Sequence, residues 1–111
     1  MDKSFVAPYT LLTDADVAID VDTYEARVPQ VTGTRIYTLP TPWIAGQRIK
    51  ISRLRTADAF TVTLRTAGGI VLGTISSSAS GWIEGYAKTT GAESWVTSSF
   101  GGTVTSLLTT V

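Results

Sequence analysis

The sequence predicts an all-β fold: an antiparallel, jelly-roll-like β-sandwich of about eight strands, preceded by an N-terminal arm. Three observations predict it. One residue in three is Val, Ile or Thr, whose two Cβ substituents suit a pleated surface better than a helical turn. From Thr34 to Trp95 the chain is a succession of short runs, TRIYTLP, GQRIKIS, FTVTLRT, GGIVLGTI and GWIEGYAK, with no helix-length pattern between them. Gly, Pro or small polar residues set these runs off at roughly the 8–12-residue spacing of a sandwich.

Taken in order, residues 1–15 are expected to be an arm and residues 16–111 the β-domain. Pro8 interrupts the arm, and its apolar residues Phe5, Val6, Tyr9, Leu11 and Leu12 follow no clean period. They are too apolar to be left in water, so the arm is expected to carry much of the contact with a neighbouring subunit of the assembly, with docking on its own domain as the rival reading. From Asp16 the alternation is regular: Val17, Ile19 and Val21 face one way and Asp16, Asp20 and Asp22 the other, a half-buried strand with a wet acidic face. Tyr24 to Val31 is a weaker strand, placed at an edge or bulge because Pro29 lacks a ladder N–H.

Thr34 to Leu39 is the next strand, ended by Pro40 and Pro42, with Trp43 on the loop that follows. Ile49 and Ile51 then face the core while Arg48 and Lys50 face out. Phe60, Val62 and Leu64 repeat the pattern against Arg65. Ala67-Gly68-Gly69 signals a tight hairpin, Ser76 to Ser80 a loop, Trp82 to Ala87 a strand and Thr89-Thr90-Gly91 a turn. The terminal TVTSLLTTV is a last edge strand or a tail that pairs with a neighbour.

Composition bounds the chemistry. At 111 residues the chain has the size of one domain. It contains no cysteine and no histidine, which excludes thiol and Ser-His-Asp catalysis, histidine metal sites and disulfides. The N-terminus lacks an apolar core of signal-peptide type, and no run approaches the roughly 20 apolar residues of a membrane span. Net charge is zero, but the charges are segregated. Six carboxylates (Asp2, Asp14, Asp16, Asp20, Asp22, Glu25) stand against Lys3 in residues 1–25. Seven cations (Arg27, Arg35, Arg48, Lys50, Arg53, Arg55, Arg65) stand against Asp58 in residues 26–65.

Each candidate site has a plain competitor. Asp14, Asp16, Asp20 and Asp22 are hard oxygen ligands that could suit calcium, but EF-hand spacing is absent and an alternating strand already accounts for them. No metal and no cofactor is expected. Trp82, Glu84 and Tyr86 share one face at period two, the layout of a sugar-stacking platform; burial in the core or at a subunit interface is the favoured alternative. Trp43 and Trp95 are read as packing residues. Glu84, Glu93 and Asp58 show no spacing that suggests a glycosidase pair, so no catalytic residue is assigned and the chain is not read as an enzyme. Arg48, Lys50, Arg53, Arg55 and Arg65 form a basic interaction surface. With zero net charge and an acidic arm to screen it, that surface is better matched to acidic protein than to nucleic acid.

The order of cues also resembles a known group. A strand ends in Leu39-Pro40, and Pro42-Trp43-Ile44-Ala45-Gly46-Gln47 leads into Ile49 and Ile51. A Val/Thr strand follows, then Gly68-Gly69-Ile70 with Gly73 close behind. Finally Gly91 is separated by Ala92-Glu93-Ser94 from Trp95. This resembles the small β-domains of tailed-bacteriophage virion proteins, over a little more than half the chain. Those domains are head decoration (cement) proteins and tail-fibre or head-fibre knobs. The resemblance implies a non-enzymatic virion protein made in the host cytoplasm. Its first form is a homotrimer on the outside of the capsid that ties major capsid subunits together, with no nucleic-acid or membrane partner. Its second form is a fibre knob that binds a host glycan or protein. No heptad is present, so no coiled-coil shaft is expected, which favours the first.

Overall fold

The computed structural model describes residues 10–54, 60–76, 80–102 and 104–106. They form ten strands: β1 (Thr10–Leu11), β2 (Val17–Ala18), β3 (Glu25–Arg27), β4 (Arg35–Thr38), β5 (Arg48–Arg53), β6 (Val62–Arg65), β7 (Val71–Ile75), β8 (Gly81–Ala87), β9 (Trp95–Gly102) and β10 (Val104–Ser106). The strands build two five-stranded sheets, in the orders β1-β3-β5-β8-β9 and β10-β7-β6-β4-β2. The molecule is an all-β sandwich, but not the antiparallel one expected. Four pairings are parallel: β1 with β3, β3 with β5, β2 with β4, and β4 with β6. The other four, β5 with β8, β8 with β9, β6 with β7 and β7 with β10, are antiparallel.

The reason is the path of the chain. Through β6 every connection crosses to the opposite sheet, so each strand returns beside its predecessor-but-one running the same way. Parallel neighbours usually need a helical crossover; here a strand of the facing sheet makes it. After β6 the chain turns back on itself in the β6–β7 hairpin, crosses once to β8, makes the β8–β9 hairpin and returns to the second sheet as β10. The hairpin expected at Gly68-Gly69 is β6–β7, with Gly69 at φ 95°, a left-handed conformation that glycine adopts without steric penalty.

The core lies between the sheets. Ile49 and Ile51 of β5, Val62 and Leu64 of β6, Leu72 and Ile75 of β7, Ile83 and Ala87 of β8, and Trp95 of β9 are all fully buried, with Phe60 packed against them. Arg48, Lys50 and Arg65 stand on the outer side of their strands, as the alternation predicts. Trp95 seats its indole N–H on the Pro40 carbonyl at 2.8 Å, so this tryptophan does pack as expected. Burying its polar edge without such a partner would be costly.

Two local expectations are corrected. The segment carrying Pro29 is an interior strand, since β3 lies between β1 and β5; the proline falls two residues past its end and takes nothing from the ladder. The acidic strand over Asp16–Asp22 shortens to the two residues of β2. Its carboxylates serve the backbone instead: Asp16 Oδ1 accepts the Ile36 N–H at 2.9 Å and Asp20 Oδ1 accepts the Asp22 N–H at 3.0 Å. Short polar side chains bond nearby backbone in this way wherever it offers a free donor.

Candidate interaction surface

The outer face of the first sheet carries an ordered array of cations and aromatics. In β8, Gly81, Ile83, Gly85 and Ala87 point inward, so Trp82, Glu84 and Tyr86 point out. Beside them β5 contributes Arg48 and Lys50, in register with Tyr86 and Glu84. The Arg48 guanidinium lies 4.9 Å from the centre of the Tyr86 ring, and the Lys50 ammonium 4.9 Å from that of Trp82. Both distances are within the range of cation–π attraction. Glu84 joins the two rows: its Oε1 lies 3.3 Å from Arg48 Nη1 and accepts the hydroxyls of Ser98 at 2.9 Å and Ser99 at 3.3 Å. The two serines reach one carboxylate because the β8–β9 pairing shifts register between Glu84 and Gly85.

Trp82 leans across onto β9, where Gly101 makes room for it. A Cβ at Gly101 would stand 2.4 Å from the indole nitrogen, closer than any real contact. The array is therefore held in place, with an aromatic seated on backbone. Trp82, Glu84 and Tyr86 do share one face, and that face is the outside of the sheet, each residue half-buried by its neighbours.

The five cations read as one basic surface do not stay together. Arg48 and Lys50 belong to the array. Arg65 lies on the outer face of the opposite sheet. Arg53 is buried at 1% exposure and donates from Nη1 to the carbonyls of Phe60 at 2.7 Å and Ser76 at 3.3 Å. The reason is parity: Ile49, Ile51 and Arg53 are alternate residues of one strand and point the same way. Arg55 lies outside the described residues.

Among the arm residues, Phe5, Val6 and Tyr9 also lie outside them. Leu11 sits on the edge strand β1 at 64% exposure, and Leu12 is buried at 8% in the protein's own core. Thr10 to Thr13 thus belong to the fold: the Leu12 N–H donates to the Arg27 carbonyl at 2.9 Å, and the Tyr37 hydroxyl donates to the Thr13 carbonyl at 2.8 Å. Burial pushes the Tyr37 phenol up to about 12.

Beside it, Asp14 accepts from Arg35 Nε at 2.8 Å and from the Thr32 hydroxyl at 2.9 Å and N–H at 3.2 Å. The Arg35 hydrogen bond is the main cause that holds the Asp14 carboxyl below its ordinary value, and it raises Arg35 in turn. This spends one acid of the N-terminal block on one cation of the basic block. Among the described residues no group of three or more potential metal-ligating side chains comes together.

Two features were not anticipated. Trp43, expected to pack, is 72% exposed, with Ile44 beside it at 52%; a tryptophan between two prolines and a glycine turn is the signal for a presented tip. Glu93, in the β8–β9 turn, accepts the Thr66 hydroxyl and, at 2.6 Å, the Gly68 N–H of the β6–β7 turn, tying the hairpins of the two sheets together at one end. No family model matches the sequence, and no curated protein is detectably similar to it.

Proposed function

We propose that this chain is a non-enzymatic assembly protein of a tailed-bacteriophage virion: a capsid decoration protein that binds the outside of the head as a homotrimer and ties major capsid subunits together. The observation that carries the reading is the outer face of the first sheet. Arg48, Lys50, Trp82, Glu84 and Tyr86 form an array held by the sheet and by one another. Such a surface suits contact with another protein: aromatics and arginine dominate the energetics of interfaces, and residues already fixed in place lose little entropy on binding. The resemblance in sequence supplies the setting, the capsid and the trimer.

The fibre-knob reading is less well supported. A sugar stacking on Trp82 or Tyr86 must first displace the Lys50 or Arg48 cation that lies over the ring.

The test is reconstitution. Purified protein is mixed with capsids lacking it, and occupancy is read by co-sedimentation and electron microscopy. The wild-type chain should occupy the capsid lattice in threes. The double variant Arg48→Glu, Trp82→Ala should fold but lose at least about tenfold in affinity, as expected when an interface loses an aromatic anchor and a charge. Localisation at the tail, or full occupancy by the double variant, would overturn the proposal.

A further inference from the structure

We propose that the loop between β4 and β5 is a self-association site, through which two copies of this chain meet end to end about a two-fold axis. The loop is built to present its tip. The Trp43 N–H donates to Gln47 Oε1 at 3.1 Å, and the Gln47 N–H to the Ile44 carbonyl at 3.2 Å. On one flank Gln47 Nε2 donates to the Val21 carbonyl at 2.8 Å. On the other, the Gly46 N–H donates to the Ala87 carbonyl at 2.8 Å and the Ala87 N–H to the Gln47 carbonyl at 2.9 Å. Pro42 is buried beneath, and the Pro40 carbonyl holds the Trp95 indole. So Trp43 and Ile44 are exposed on a fixed loop. Tyr24, on the same end of the molecule where β3 begins beside β5, is 66% exposed. An ordered aromatic–aliphatic tip of this kind has the composition of an interface anchor.

The flanks select the occupant. The same bonds that fix Gln47 place the loop between the turn at residues 20–23 and the end of β8. Asp20 and Asp22 are exposed on the first side and Lys88 on the second. The nearby charges Arg48 and Glu93 are turned away, onto Tyr86 and Glu84 and onto Thr66 and Gly68. Across this end of the first sheet the order is therefore acid, apolar tip, base. A two-fold axis perpendicular to the sheet reverses that order, so in a pair of copies the acidic turn of each faces Lys88 of the other while the tips pack together. A surface complementary to itself under two-fold rotation is what an isologous contact requires. The exposed parts of Tyr24, Trp43 and Ile44 amount to an area on the order of 400 Å² per copy, about half of what a stable complex buries on each partner. The contact is therefore weak between free molecules and strengthens where copies are held side by side on a common support.

Sedimentation velocity on the full chain at low salt tests this. The particle, whatever its own stoichiometry, should gain mass by association with further particles as concentration rises into the high micromolar range. Trp43→Ser with Ile44→Ser should abolish this gain while leaving circular dichroism unchanged. Lys88→Glu alone, and Asp20→Lys with Asp22→Lys in one chain, should each weaken association about three- to fivefold, the effect of losing exposed charge pairs. An equimolar mixture of those two variant chains should recover wild-type association, because both flanks are again complementary. No increase in mass, an increase that survives loss of Trp43 and Ile44, or a mixture no stronger than its components would overturn the proposal. Capsid occupancy is read in a separate assay, so this inference and the decoration reading fail independently.

Discussion

Tyr37 closes the core at the point where the chain enters it. Its ring is buried, its hydroxyl is bonded to the Thr13 carbonyl, and burial raises its pKa from 10.0 to about 12. Between those two values the unfolded chain has lost a proton that the folded chain keeps, so stability must fall as pH rises through that interval. The drop should be at most about 3 kcal/mol, and urea unfolding at neutral and alkaline pH measures it. Tyr37→Phe should remove that slope and cost about 1 kcal/mol at pH 7 through the lost hydrogen bond. Asp14 acts at the other end of the scale. Its folded pKa is depressed by Arg35, so its contribution is present above the ordinary carboxylate pKa and is lost as pH falls through the lower folded value. Asp14→Asn should lower stability at neutral pH and make the acid unfolding limb shallower. Neither role was legible in the sequence, because Thr13, Asp14, Arg35 and Tyr37 meet only when β2 and β4 lie side by side.

Among the elements, β1 and β2 are the shortest, two residues each, and both lie at sheet edges. Their hold on the molecule comes from what flanks them: Leu12 in the core, Thr13 under Tyr37, Asp14 on Arg35 and Asp16 on the Ile36 N–H. Removing residues 1–13 should therefore destabilise the domain itself. Loss of the Leu12 side chain alone, as Leu12→Ala, should cost about 2–4 kcal/mol, and the truncation more, since the Tyr37 hydroxyl is then left without its acceptor. Denaturant midpoints of the two variants check this; equal midpoints for the truncated and full chains would place the arm outside the fold. The long strands were easier to read. Alternation in Arg48–Ser52 and Trp82–Ala87 identifies the inner and outer faces of β5 and β8, but charge alone groups Arg53 with the basic surface, although the same parity turns it inward.

For the whole molecule, the test of the core is Val62→Asp. Val62 is fully buried between the sheets, and an unpaired carboxylate there costs several kcal/mol, a large part of the roughly 5–15 kcal/mol that stabilises a domain. The variant should fail to give a cooperative unfolding transition. Periodicity, β-branched content and punctuation by Gly and Pro determined by themselves that the chain is all-β, that Ile49, Ile51, Val62 and Leu64 face its core, and that Trp82, Glu84 and Tyr86 share one face. These are properties of each strand taken alone. Only the tertiary structure decided which strands are neighbours and in which direction they run, because inward–outward alternation is the same in parallel and antiparallel pairs. It also decided that Lys50 covers Trp82, that Arg65 lies on the far side of the sandwich from Arg48, and that Trp43 stands free while Trp95 is buried. Each of these is set by where two distant segments meet, which no local period encodes.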